Sequence, residues 1–178
     1  MEPTQRVRIA AIGTGNIFRG AHLPAYPDIP QAQLVAFCDP DREAQKAVMK
    51  RYTELMDAKL QQAKEKGDQA TAERIERDRD GIQICDDIGE VIDTIKPDLV
   101  DICTQPMLHA PLSIQALEAG INVMCEKPIS RSWLESQRLI DRLFGGKLTP
   151  LVAHLAERDQ LTAEDIAEIE ALLKDLKS

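Results

Sequence analysis

"VRIAAIGTGNIF" (Val7 to Phe18) decides how the rest of the chain is read. An apolar run leads straight into Gly13-Thr14-Gly15. A lone Gly-x-Gly also serves ordinary tight turns, so its meaning depends on context: a strand before it, a helix after it, and an acid ending the next strand. Val7–Ile12 supplies the strand. "NIFRGAHLPAY" is expected to open the helix whose amide end would face a phosphate. Phe18 stands where a third glycine would sit, a position that serves helix–strand packing rather than phosphate contact. Asp39 ends the next apolar run, "QLVAFCD", somewhat beyond the roughly 20-residue spacing usual for a ribose-binding acid. A carboxylate there accepts bonds from both ribose hydroxyls and repels a 2′-phosphate, which favours NAD over NADP. Nearby Arg42 softens that preference.

Further out, "IQICD", "LVDICT" and "INVMCEKP" repeat the theme of Val-, Ile- and Leu-rich runs without strict polar alternation. Such runs suit strands buried on both faces, as in a parallel sheet covered by helices. Helical stretches separate them, including "IGEVIDTI" and "APLSIQALEAG", with Gly120 as a stop and Lys96–Asp98 as a strand entry. The long charged segment from Arg42 to Asp80 is broken at Gly67-Asp68 and reads as a solvated helical hairpin beside the sheet. The alternation predicts an α/β fold, a Rossmann-type doubly wound parallel sheet over residues 1–140 with a helical tail over 141–178.

Composition narrows the function. The chain has 178 residues, 43% of them hydrophobic, enough for a folded core. A net charge of −8 and 3% aromatics argue against nucleic-acid binding, which needs a basic face or a stacking platform. The apolar runs are too short to span a membrane. "MEPTQRVR" carries no apolar signal core, so a cytoplasmic location is expected. Cys38, Cys85, Cys103 and Cys125 occur singly at the ends of apolar runs, without a C-x-x-C pair, and read as structural thiols rather than metal ligands. No metal is expected.

"VRIAAIGTGNIFRGAHLPAY", "VAFCDPDRE" and "KPDLVDICTQPMLHAPLSIQALEAGINVMCEKPIS" together resemble the N-terminal domain of the Gfo/Idh/MocA oxidoreductases, over roughly residues 6–140. The most specific elements are "EKP" after one run and "T-x-P-x-x-H" after the preceding one. The resemblance implies a nicotinamide dinucleotide, NAD with NADP as the alternative, held by the loop Gly13, Thr14, Gly15, Asn16 and Ile17 and by Asp39 with Arg42. It implies that Thr104, Gln105, Pro106 and His109 lie along the cofactor. Glu126, Lys127 and Pro128 would stand at its nicotinamide end. Lys127 and His109 are the implied catalytic residues. Hydride exchange with a sugar or polyol hydroxyl needs a proton carrier, and a desolvated lysine amine has its pKa lowered toward that task. His22 and His154 show no partner pattern and are assigned no role.

Members of that family continue into a second, substrate-binding domain of about two hundred residues, so this chain is expected to bind cofactor and do little chemistry alone. The alternative function is a non-catalytic nucleotide-sensing or dimerising protein, regulatory or chimeric in origin. Beyond Gly145-Gly146, "LFGGKLTPLVAHL" and "LTAEDIAEIEALL" resemble the C-terminal dimerisation region of the penicillinase-repressor (BlaI/MecI) family. Ile166, Ile169, Leu172, Leu173 and Leu176 recur at helical spacing and give one apolar face. That face either docks on the chain's own sheet or pairs with a second copy, and a homodimer through the tail is expected.

Overall fold

A computed structural model of the chain describes residues 6–144 together with residues 162, 164, 166 and 167. The chain divides into two compact units, residues 1–136 and 137–178. The first is built on five strands, β1 (Val7–Ile12), β2 (Ala32–Cys38), β3 (Gln83–Cys85), β4 (Leu99–Ile102) and β5 (Asn122–Cys125). All their pairings are parallel, in the order β3-β2-β1-β4-β5. From β1 the chain winds first to one side and then to the other. The carboxyl ends of β1 and β4 therefore flank the crevice where doubly wound sheets place their ligands. The expected Rossmann-type sheet is present.

Burial on both faces explains why β1, β2 and β4 lack polar alternation, whereas the edge strands β3 and β5, also expected to be buried on both faces, leave residues such as Gln83, Asn122 and Met124 exposed. Ile9 and Ala11 face one apolar layer with Leu34 and Phe37, while Ala10 and Ile12 face the other with Val100 and Ile102. Between β1 and β2 the register passes from Ile9↔Leu34 to Ala10↔Ala36, leaving Val35 as an extra residue. This bulge lets Val35 and Ala36 enter the same layer.

The α-helices that connect or follow the strands are numbered in chain order. They are α1 (Arg42–Glu65), α2 (Gln69–Asp80), the short α3 (Ile88–Glu90, widening into a π-helical turn over Val91–Ile95), α4 (Pro106–Glu118) and α5 (Trp133–Phe144). Asp41 starts α1 by accepting from the Glu43 N–H, and Asp68 starts α2 by accepting from the Thr71 N–H. Gly67 makes the break between them at φ +70°. The predicted hairpin forms, but it is not simply a solvated appendage. Val48, Tyr52, Met56 and Leu60 recur every fourth residue and are buried with Ala72 and Ile75 in the layer of Ile9 and Leu34. Arg6, just before β1, clamps the end of this hairpin through two 2.7 Å bonds to the buried Asp78 carboxylate.

The segment after the glycine loop corrects an expectation. It does not form a regular α-helix. A short helical start at Asn16 and Ile17 opens into a π-turn over Phe18–His22 and then tightens to a 3₁₀ helix over Leu23–Asp28. Pro24 and Pro27 have no N–H to give to an α-helical ladder, so the winding must change along this stretch. Phe18 fills the third-glycine position and is fully buried, edge-on to Phe37 at 5.8 Å between ring centroids.

Of the second unit, the described residues are few. The Ile166 N–H bonds the Thr162 carbonyl at 3.1 Å, and the Ile166 side chain is exposed. Ile169, Leu172, Leu173 and Leu176, Gly145-Gly146 and His154 lie outside the described residues, so the apolar stripe and the dimer expected from it remain sequence expectations. Among the described residues no helix is long and apolar enough to cross a membrane.

Candidate functional site

The two loops at the crevice are packed against each other. Gly13 sits at φ +84°, and a Cβ on it would lie 2.7 Å from Thr104 Cγ2 and 2.8 Å from the Thr104 backbone nitrogen. Glycine is required there by the close approach of the loop after β4. Gly15 differs: a Cβ on it meets nothing within 4 Å. The first glycine therefore serves the protein, and the second leaves open space in front of the loop.

Asp39 anchors this loop from the end of β2. Its Oδ2 accepts from the Thr14 N–H at 2.8 Å and from the Thr14 hydroxyl at 3.1 Å, and its Oδ1 accepts from the Asp41 N–H at 3.0 Å. A carboxylate oxygen can accept more than one bond, so Oδ1 keeps capacity for another donor. Thr14 is fully buried, Asp39 is half-buried, and Asn16 and Ile17 are exposed. Arg19 braces the loop by donating to the Thr14 carbonyl at 2.7 Å and to Asn16 Oδ1 at 2.8 Å. Arg42 is exposed and bonds Asp86 at 2.7 Å, while Gln45 donates to the Asp39 carbonyl at 2.6 Å.

On the other side of the crevice, Gln105 and Pro106 open α4 with exposed side chains, and Thr104 is half-buried. His109 is 1% exposed, with Nδ1 2.8 Å from the Pro128 carbonyl and Nε2 3.0 Å from the Thr104 carbonyl. The ring thus joins the Thr104 loop to the turn after β5. In that turn Glu126 is half-buried, Lys127 and Pro128 are exposed, and the Lys127–Pro128 peptide bond is cis. The Lys127 N–H donates to Glu126 Oε2 at 3.1 Å.

Behind this turn lies a cluster that the sequence reading missed. Asp101, in the middle of β4, is completely buried and accepts three donors. They are His22 Nδ1 at 2.9 Å, the Tyr26 hydroxyl at 2.8 Å and the Cys103 thiol at 3.4 Å. His22 Nε2 reaches Glu126 Oε1 at 2.9 Å. A signal was available in "LVDICT", since an acid inside an apolar strand must find partners or pay heavily for burial. The His22, Asp101 and Cys103 polar atoms lie within 4.8 Å of one another, a grouping these hydrogen bonds explain. Burial lowers the His22 pKa, but the bonds to Glu126 and Asp101 outweigh it and the net shift is upward. Glu126 is held below the usual carboxylate range by its bonds from His22 and from the Lys127 N–H.

The cysteines end strands, as their positions in the sequence suggested. Cys38, Cys85 and Cys103 are buried, Cys125 is half-buried, and all four are free thiols. Burial pushes the Cys38 thiol up to about 12 and the Cys85 thiol to about 11, so neither is a nucleophile near neutral pH.

Known proteins place this arrangement. The family model described as an oxidoreductase family with an NAD-binding Rossmann fold (GFO_IDH_MocA) matches residues 7–154. D-glucoside 3-dehydrogenase from Escherichia coli K12 is 29% identical over 135 residues, covering 76% of this chain and 31% of that protein. Inositol 2-dehydrogenase 4 from Saccharopolyspora erythraea is 27% identical over 137 residues, covering 77% of this chain and 32% of that protein. The chain thus spans about a third of the length of these relatives. Among solved structures, the WlbA dehydrogenase from Chromobacterium violaceum in complex with NADH and UDP-GlcNAcA superposes with a TM-score of 0.58 at 22% identity, over 78% of this chain and 32% of that one. The fold agrees, and the family match extends across both loops and the turn that form the crevice. The chain belongs to the Gfo/Idh/MocA oxidoreductase family, a family with an NAD-binding Rossmann fold.

Proposed function

We propose that this chain holds a nicotinamide dinucleotide across the crevice and serves hydride exchange with a sugar- or polyol-like hydroxyl. The observation that carries this is the difference between its two loop glycines. Gly13 is filled by the protein itself, whereas the space in front of Gly15 is open at the switch point of the sheet. That is the fit expected where a pyrophosphate approaches the backbone. The helical start at Asn16 leaves its first N–H groups without intrahelical acceptors, and these are suited to phosphate oxygens. Asp39 would take a ribose hydroxyl on Oδ1 while keeping Thr14 in place. Thr104, Gln105 and Pro106 would line the path toward the turn after β5.

A nicotinamide held near that turn would supply the hydride acceptor or donor. Lys127 is the residue proposed to hold and move the substrate hydroxyl proton on its Nζ. Its side chain is exposed in the turn that follows β5, next to the anchored Glu126. His109 is better suited to positioning. Its buried ring already faces two carbonyls, so it acts by joining the Thr104 loop to Pro128. The relatives' names, a glucoside and an inositol dehydrogenase, support a polyhydroxylated substrate class.

The cofactor preference tests the role of Asp39. Asp39→Asn removes the charge but keeps an oxygen for Thr14. The wild type is expected to bind NADH more tightly than NADPH, and the variant to lose about tenfold of that preference, equivalent to roughly 1.4 kcal/mol. Calorimetric titration with both nucleotides reads the ratio. An unchanged ratio would place the ribose away from Asp39.

A further inference from the structure

His22 is a hydrogen-bonded bridge between two acids that come from different parts of the sheet. Its Nδ1 contacts Asp101 at 2.9 and 3.1 Å, and its Nε2 contacts Glu126 at 2.9 Å. Ionised carboxylates only accept. A neutral imidazole has one N–H, so it can donate to one of these acids and must turn a lone pair toward the other. Only the doubly protonated ring satisfies both sides.

The two acids are not equivalent. Asp101 is 0% exposed and keeps the Tyr26 hydroxyl and the Cys103 thiol as donors. The Glu126 side chain is 26% exposed and has water within reach. On loss of a proton the ring would keep its bond to the buried acid and release the accessible one. The edge of His22 borders a hollow lined by Ala21, Ala25, Tyr26, Ile29 and Met124, which gives protons a route to it.

We propose that His22 is a second positioning residue of the proposed site, a proton-dependent latch that ties the Glu126–Pro128 turn to Asp101 on β4 and thereby sets where Lys127 stands. It rests on the dinucleotide reading only for its effect on the cofactor; the latch itself is a property of the fold. The groups that face His22 are Asp101 from β4, Cys103 just after that strand, Glu126 from the turn after β5, and Tyr26 from its own segment. Lys127 adjoins Glu126, and its N–H holds the other Glu126 oxygen. The second tie to the same turn, from His109 to the Pro128 carbonyl, would remain after His22 lets go. Release therefore frees Glu126 and Lys127 without unfolding the turn.

The sign follows from the net upward shift of His22. A group whose folded pKa exceeds its unfolded value, about 6.5 for histidine, contributes its full stabilisation below that value. The contribution is lost as pH rises through the folded pKa. The latch is thus closed on the acid side of the His22 midpoint and opens on its alkaline side.

Two measurements on the full chain test this. The first is nitrogen-15 NMR of the histidine rings from pH 5 to 9, with the backbone amides followed in parallel. Both His22 nitrogens should show the imidazolium signature at the acid end of this range. The Glu126 and Lys127 amides should move with the same midpoint as the ring, and Glu126→Gln should lower that midpoint. A His22 ring held as a single neutral tautomer even at pH 5, or amides that ignore its titration, would overturn the latch. The second is NADH affinity across the same range. The wild type should weaken about fivefold as pH passes the His22 midpoint, while Glu126→Gln should be flat there. A parallel decline in both proteins would remove His22 from the control of the site. Absence of NADH binding at every pH, with the ring and amides titrating together, would leave the latch standing and sink only the dinucleotide reading.

Discussion

A Gly13→Ala chain is expected to lose stability, and a Gly15→Ala chain to keep it. At Gly13 two costs combine. A side chain at φ +84° enters the left-handed region, which costs about 1–2 kcal/mol. The added methyl also meets Thr104 atoms at 2.7, 2.8 and 2.9 Å, two of them backbone that cannot swing away. Overpacking of that kind costs roughly 1–3 kcal/mol, so the total is about 2–5 kcal/mol. Thermal unfolding should show a drop of at least about 5 °C. Gly15 has no such neighbour and lies outside the positive-φ region, so Gly15→Ala should stay within about 0.5 kcal/mol of the wild type. The methyl instead occupies the space assigned to the pyrophosphate, and nucleotide affinity should fall at least about tenfold. Equal melting temperatures for Gly13→Ala and wild type would mean that the two loops do not touch as described.

The second large effect is expected far from the crevice, at Asp78. Its carboxylate is 6% exposed and accepts from both terminal guanidinium nitrogens of Arg6 at 2.7 Å, with Arg74 at 3.5 Å. Its backbone carbonyl accepts from the Tyr52 hydroxyl at 3.0 Å. Asp78→Ala leaves Arg6 without its charge partner beside the hairpin. Breaking a fully buried pair costs roughly 3–5 kcal/mol. Because the Arg6 side chain keeps 25% exposure and also donates to the Pro30 and Ala32 carbonyls, water and those oxygens offset part of this. A loss of about 2–4 kcal/mol is expected, read as a lower urea midpoint. Nucleotide affinity measured well below the unfolding transition should be unchanged, since none of these groups reaches the crevice. A loss under about 0.5 kcal/mol would make the clamp an ordinary surface ion pair.

The sheet was legible in the sequence because each strand is an apolar run that ends in a recognisable turn. "VRIAAI" and "LVDICT" could hardly be buried on one face only, and their neighbours supplied the helices. The winding after Gly15 was harder to read. Pro24 and Pro27 announce the departure from an α-helix, yet the glycine pattern alone suggests a regular one. The face of α1 was obscured by composition. Charged residues dominate the segment, and the buried stripe of Val48, Tyr52, Met56 and Leu60 shows only when read at steps of four.

The functional residues divide in the same way. The loop glycines and the Glu126–Pro128 turn are contiguous motifs and could be read directly. The His22–Asp101–Glu126 bridge joins residues up to 104 positions apart. No local spacing encodes it, because the topology brings the middle of the crossover between β1 and β2 against β4 and the turn after β5. His109 was visible within its motif, but its burial between two carbonyls depends on the turn it meets across the crevice.

The most direct test of the central claim is titration of the chain with NADH, followed by calorimetry, beside Gly15→Ala under identical conditions. Saturable binding with one site per chain, weakened at least about tenfold in Gly15→Ala while its melting temperature holds, is the predicted result. No binding at millimolar NADH, or equal affinity in the two proteins, would contradict a dinucleotide seated on the glycine loop.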